Sequence, residues 1–230
     1  AVICFVVFIA YPLLNTVRWS FFDASLTNPV RQFVGVGNYL ELFRDPVFWI
    51  SLRNNIIILV GSVIFQVGLG LLLAAVFDRS VRRGSTFFRT LIFTPVVMSS
   101  VAVGLVWQML LNPQLGVINP ILESVGIPPP RLGWLGDPTL AIYGVLLVAC
   151  WQYTGYMMVL LLAGIQSVPG ELYEAATLDG ASERQSFWYI TLPGIRNVLI
   201  TATLITMIGA FKVFDLVYIL TGGGPANASQ

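Results

Sequence analysis

The sequence predicts an all-α fold, a polytopic membrane helical bundle with five transmembrane helices in this chain. Three observations predict it. Of 230 residues, 57% are hydrophobic and only 10% are charged. A soluble domain carries about 25% charged residues, so there is too little charge here to clothe a water-exposed surface. The mean hydropathy is +0.83. The apolar residues fall into five stretches, each near the roughly 20 residues that cross a bilayer as a helix.

The first stretch covers 1–22. It opens in apolar sequence, so further chain is expected before it. A cleaved signal peptide is the rival reading, and the missing basic leader and small-residue cleavage site disfavour it. The others cover 54–77, 91–111, 140–165 and 195–220. Pro95 near the start of the third is expected to kink or loosen it. Gly68 and Gly70 in the second, and Gly144 and Gly155 in the fourth, permit close helix approach. A sixth span is expected beyond residue 230.

Composition also excludes functions. The net charge of +1 leaves no basic field for nucleic acid. Histidine is absent, which removes imidazole metal sites and histidine acid–base chemistry. Cys4 and Cys150 sit far apart in apolar sequence and read as buried free thiols. The chain has no phosphate loop of the G-x-x-x-x-G-K-[ST] kind, no H-E-x-x-H and no G-x-S-x-G. It is therefore read as a non-enzyme that binds no cofactor.

Orientation follows from basic residues in short loops. Arg79, Arg82, Arg83 and Arg89 place the 78–90 loop in the cytoplasm, although Arg31, Arg44 and Arg53 weaken the bias. The N-terminus is then cytoplasmic, the 23–53 and 112–139 loops are outside, and the 166–194 loop is inside. The second outer loop is dense in turn residues, among them Asn112-Pro113, Pro128-Pro129-Pro130 and Asp137-Pro138. A short helix is expected from Pro120 to Val125, ended by Gly126, with Trp134 resting at the membrane surface. Asn227-Ala228-Ser229 fits a glycosylation sequon, a pattern too common to weigh.

The inner loop at 166–194 is too polar for lipid and too patterned for a linker. Pro169 suits the first position of a helix, and Glu171 and Glu174 favour its positive end. Leu172, Ala175, Ala176 and Asp179 follow at helical spacing, and Gly180 is placed to end it. A second helix is expected from Ser182, with Gln185 at capping-box spacing, to about Tyr189. Pro193 then marks the start of the fifth span.

This loop carries a resemblance. Glu174-Ala175-Ala176, Gly180 three residues on, and Ile190-Thr191-Leu192-Pro193 after nine more resemble the EAA loop of binding-protein-dependent ABC importer permeases. Phe33-Val34-Gly35 with Asn38-Tyr39, the run Gly133–Pro138, and Phe214-Asp215 leading to Leu220–Pro225 resemble the carbohydrate-uptake branch, the maltose-type and glycerol-phosphate-type permeases. The resemblance covers nearly all of 1–230 and implies a six-helix permease core, incomplete here at both ends. It implies a bacterial cytoplasmic (inner) membrane protein whose partners are a second permease subunit (a paralogue by family precedent), two ABC ATPase subunits and an extracytoplasmic binding protein. ATP and Mg would sit on the partner ATPase. By the same resemblance, Glu174, Ala175, Ala176, Gly180, Leu192 and Pro193 belong to the ATPase-coupling loop.

Polar residues inside spans are the substrate-pathway candidates. Lys212 and Asp215, spaced i, i+3, read either as a mutually neutralising pair or as substrate contacts. Trp151, Gln152, Tyr153 and Tyr156 supply the aromatic faces and mixed donors and acceptors that bind sugars, and read equally as an interfacial belt or bundle packing. Gln66 and Gln108 read as interhelical hydrogen-bonding groups. A phosphate would call for several cations, and only Lys212 is available, so the expected cargo is a neutral di- or oligosaccharide. Glycerol 3-phosphate and polyamines are the alternatives within the class. A stand-alone secondary transporter would be expected to show an internal repeat or an ion-coupling acid in mid-membrane.

Overall fold

A computed structural model describes residues 2–23, 32–79 and 84–229. Arg31, Arg82 and Arg83 of the orientation argument lie outside the described residues, as does the side chain of Arg79. The chain forms two units, Ala1–Ile50 and Ser51–Gln230.

In the first unit, α1 (Val2–Trp19) is the first apolar helix. It is followed by a two-stranded antiparallel pair, β1 (Phe22–Asp23) and β2 (Gln32–Phe33). Asn38, in α2 (Gly37–Arg44), donates to the carbonyls of Ser20 and Phe22, and the Tyr39 hydroxyl lies 2.6 Å from that of Ser20. The Phe33–Tyr39 motif thus fastens this hairpin to the end of α1.

The second long helix, α3 (Pro46–Asp78), starts eight residues before the expected 54. Asp45 accepts the Val47 amide, and Pro46 suits a first helical position. These two start signals precede Ser51 and Arg53, whose polarity suggested loop. The third span is not one helix. It is α4 (Ser85–Val97) and α5 (Ser100–Leu110), bent by 101°. Pro95 is buried inside α4, and the break falls just beyond it, at extended Met98 and Ser99. In the 112–139 loop, α6 (Ile118–Ser124) is the expected short helix shifted back, starting two residues before Pro120 and ending one before Val125, with Gly126 at φ +78° after it. Trp134 is half-buried, and its indole N–H donates to buried Asn119.

The central element is α7 (Ala141–Gln166), the fourth span, two thirds buried over its apolar window. It is apolar on all sides because helices surround it. Its first half joins a core cluster with Ile58, Val103 and Leu216; its second half joins another with Val67, Phe77 and Ala202. Small residues set the approach distances. A Cβ on Gly155 would overlap the Ile92 carbonyl of α4, and one on Gly70 would lie 2.8 Å from Met157. Gly144 instead faces Leu135 of the 112–139 loop, and Gly68 faces open space.

After α7 come α8 (Gly170–Leu178) and α9 (Glu183–Gly194). The second of these, α9, continues past the expected end at Tyr189. A π-helical stretch, Phe187–Thr191, loosens the ladder where Pro193 has no N–H to give. A 69° bend leads into α10 (Arg196–Ala210). The fifth span is also interrupted: it stops at Ala210 and resumes as α11 (Phe214–Thr221). Beyond it the chain folds back, where Ala228 accepts from Asn54 and fully buried Ser229 bonds to Thr221. The sequon-like triplet is absorbed into this turn. Among the described residues, three helices are long and apolar enough to cross a membrane, or up to five if each bent pair is one span.

Candidate functional site

Two places gather the predicted residues. The first is the α8–α9 loop. Pro169 is the N-cap of α8 rather than its first helical residue. The C-terminus is closed by a paired motif: the Ala181 amide donates to Ala176 at 2.9 Å and the Gly180 amide to Thr177 at 3.1 Å. This geometry needs a left-handed residue, and Gly180 has φ +78°. The capping box is present in both directions between Ser182 and Gln185. The Tyr173 hydroxyl meets the buried Thr191 hydroxyl at 2.9 Å and ties the two helices together. Glu174, Ala175, Gly180 and Pro193 are exposed, while Ala176 and Leu192 are half-buried. Leu178 is 89% exposed and Tyr189 79%. The loop is a rigid, well-hydrogen-bonded pair of helices that presents small and apolar side chains outward.

The second is a cavity of about 410 Å³ in the second unit. Tyr153 and Tyr156 line it from α7, Ser62 and Gln66 from α3, Ser100 from α5 and Thr206 from α10. Lys212 and Asp215 line it as well. Four of the six predicted pathway residues are thus brought together. The other two are not. Trp151 points to a different, apolar groove with Phe65, Leu91 and Tyr143, and packs edge-on against Trp107. Gln152 is 1% exposed and donates to the Met98 carbonyl at the break of the third span.

Lys212 and Asp215 form no ion pair with each other. The i, i+3 argument assumed one continuous helix, and the helix ends between Ala210 and Phe214. Each charge has a local reason for its place. Lys212 follows the carbonyl end of α10, and Asp215 lies in the first turn of α11, so each meets the helix end of opposite polarity. Gln108 makes the expected interhelical bond, to the Ile219 carbonyl of α11 at 3.0 Å. Gln66 bonds both within its own helix, donating to Ser62 at 3.1 Å, and across to the Cys150 thiol of α7. Ser62, Ser100 and Thr206 were not among the predicted residues. Single hydroxyls in apolar helices leave no trace in sequence, because they satisfy themselves on the preceding turn as often as they face a cavity.

A bundle of broken and unbroken apolar helices, holding a largely apolar cavity set with a few polar side chains and extending an ordered helical loop, is the architecture of a membrane transport component. The sequence relationships agree. Residues 66–229 match the family described as "Binding-protein-dependent transport system inner membrane component". The chain is 44% identical to the probable ABC transporter permease protein YurN of Bacillus subtilis (strain 168), over 98% of this chain and 78% of the relative. It is 36% identical to the lactose transport system permease protein LacF of Rhizobium radiobacter, over 97% and 74%. The same fold occurs in the crystal structure of a bacterial ABC transporter that imports the acidic polysaccharide alginate. There the TM-score is 0.82 at 24% identity, over 99% of this chain and 76% of that one. The chain belongs to the family of binding-protein-dependent transport system inner membrane components, as an ABC transporter permease.

Proposed function

We propose that this permease passes a neutral di- or oligosaccharide through the cavity bounded by α3, α5, α7, α10 and α11. The lining carries the reading. Six hydroxyl- or amide-bearing side chains face the space, two of them tyrosines, with a single cation and a single anion. Aromatic faces against C–H groups and neutral groups that both donate and accept suit a sugar. A phosphate ester would need more than Lys212, and a polyamine more than Asp215. The relative named for lactose transport supports the same class.

The α8–α9 loop is the contact for a separate ATPase, and it faces the cytoplasm. Its outward-facing Ala175, Leu178 and Tyr189 offer a compact apolar surface on a rigid mount. ATP-driven closure of two ATPases moves this loop, and through α9 and α10 it opens the cavity to alternate sides. A second permease subunit completes the pathway, and a binding protein delivers the sugar. The test is substrate-stimulated ATP hydrolysis by the assembled transporter, with binding protein loaded in turn with neutral disaccharides, glycerol 3-phosphate and a polyamine. Stimulation by a neutral disaccharide is expected. Stimulation by glycerol 3-phosphate alone, abolished in Lys212→Ala, would move the assignment to the phosphate ester.

A further inference from the structure

We propose that Gln152 is a positioning residue for translocation: its carboxamide sets the angle of the break in the third span, and with it one wall of the cavity. The inference rests on the permease reading of that cavity. The geometry comes from a single turn of α7. Where α4 ends, Met98 turns to ψ 145° and its carbonyl leaves the helical ladder. In a lipid-embedded bundle a freed carbonyl must find a donor inside the protein. The Ser99 carbonyl finds the Val103 amide. The Met98 carbonyl finds Gln152 Nε2 at 3.2 Å, 54 residues away in sequence.

The neighbouring residues of the same turn hold the two arms. Gly155 lets α7 press directly against the backbone of Ile92 and Phe93 in α4. Tyr153 brings its hydroxyl to 3.5 Å from that of Ser100, the first residue of α5. Val96 before the break and Ser100 after it both line the cavity. A change in the break angle therefore moves cavity wall, and Gln152 is the side chain that bonds the break itself.

Gln152 also leaves its own Oε1 buried without a hydrogen-bond partner among the described residues. Such a group costs stability, and an apolar side chain of similar size would avoid that cost. A residue kept only for packing has no reason to hold a carboxamide there. A residue that must donate to Met98 does.

The test uses the complete transporter in proteoliposomes, with nitroxides at Thr86 on α4 and Met109 on α5, both exposed, in a background with Cys4 and Cys150 replaced by Ala. Gln152→Leu removes the donor at similar volume. The expected result is a broadened or shifted Thr86–Met109 distance and a maximal transport rate at least tenfold lower. The half-saturating concentration of loaded binding protein changes less than twofold. A wild-type distance and rate in Gln152→Leu would overturn the proposal. So would a tenfold rise in half-saturating concentration at an unchanged distance, which would make Gln152 a substrate contact. If the leucine variant does not assemble, Gln152→Asn, one methylene too short to reach Met98, decides by the same readouts. A wild-type complex that transports nothing would sink the permease reading instead, and the distance change in Gln152→Leu would still report on the break.

Discussion

At the scale of single residues, the α8–α9 loop depends on one backbone conformation. Gly180 closes α8 at φ +78°, where a side chain costs about 1–2 kcal/mol unless it is Asn or Asp. Nothing lies within 4 Å of a Cβ built there, so the cost is conformational rather than steric. Gly180→Val is expected to cut substrate-stimulated ATP hydrolysis more than Gly180→Asn, while both variants insert normally in the membrane. Gly180→Asp adds a charge to the docking surface and is expected to weaken coupling without affecting insertion. Equal, wild-type hydrolysis in all three would remove Gly180 from the coupling contact. A second residue acts in the loop before α7. The Thr139 hydroxyl and amide donate to Asp137 at 2.7 and 2.8 Å and hold its carboxyl below the ordinary 3.8. A carboxylate depressed by folding stabilises above its unfolded value of about 3.9 and loses that contribution as pH falls through the folded value. Asp137→Ala is thus expected to lower the thermal midpoint at about pH 7, with the gap closing below about pH 3.8. Thermal unfolding across that range checks it, and a gap that does not narrow as pH falls contradicts it.

At the scale of elements, close helix approach makes the glycines unequal. Gly155→Val drives a side chain into the α4 backbone and is expected to cost about 1–3 kcal/mol, or to prevent assembly. Gly68→Ala meets open space and is expected to be neutral or to gain up to about 1 kcal/mol from helix propensity. The yield and thermal stability of the purified variants separate the two. Sequence alone gave both residues the same packing role, because it shows a small residue but not the surface it meets. What is local was legible. The capping box at Ser182 and the glycine closure at Gly180 are written within a few residues and formed as spelled. What depends on distant partners was not. Pro95 announced a bend in the third span, but the break lies beyond it, where α7 supplies Gln152 to the freed carbonyl. The halt of the fifth span at 211–213 is marked only by Gly209, whose carbonyl takes the Lys212 amide, and a lone glycine in an apolar helix reads equally as a packing residue. The run Trp151-Gln152-Tyr153-Tyr156 was read as one site, yet helical geometry turns about 100° per residue. Tyr156 shares a face with both Gln152 (i, i+4) and Tyr153 (i, i+3), yet only the two tyrosines reach the cavity, because Gln152 is taken up by the Met98 carbonyl.

At the scale of the whole molecule, three regions follow in series: the exposed α8–α9 loop, the helices α9 and α10 bent by 69°, and a cavity beside a break of 101°. Tyr173 and Thr191 stiffen the first link, and small side chains along α7 allow the tight packing around the last. A stand-alone transporter would need none of the exposed loop, and this is what separates the two readings. The decisive measurement is uptake of a labelled neutral disaccharide into proteoliposomes containing this permease with its partner permease, ATPase and binding protein. The account predicts uptake only when ATP, ATPase and binding protein are all present. Equal uptake by the permease without ATP or ATPase would contradict it.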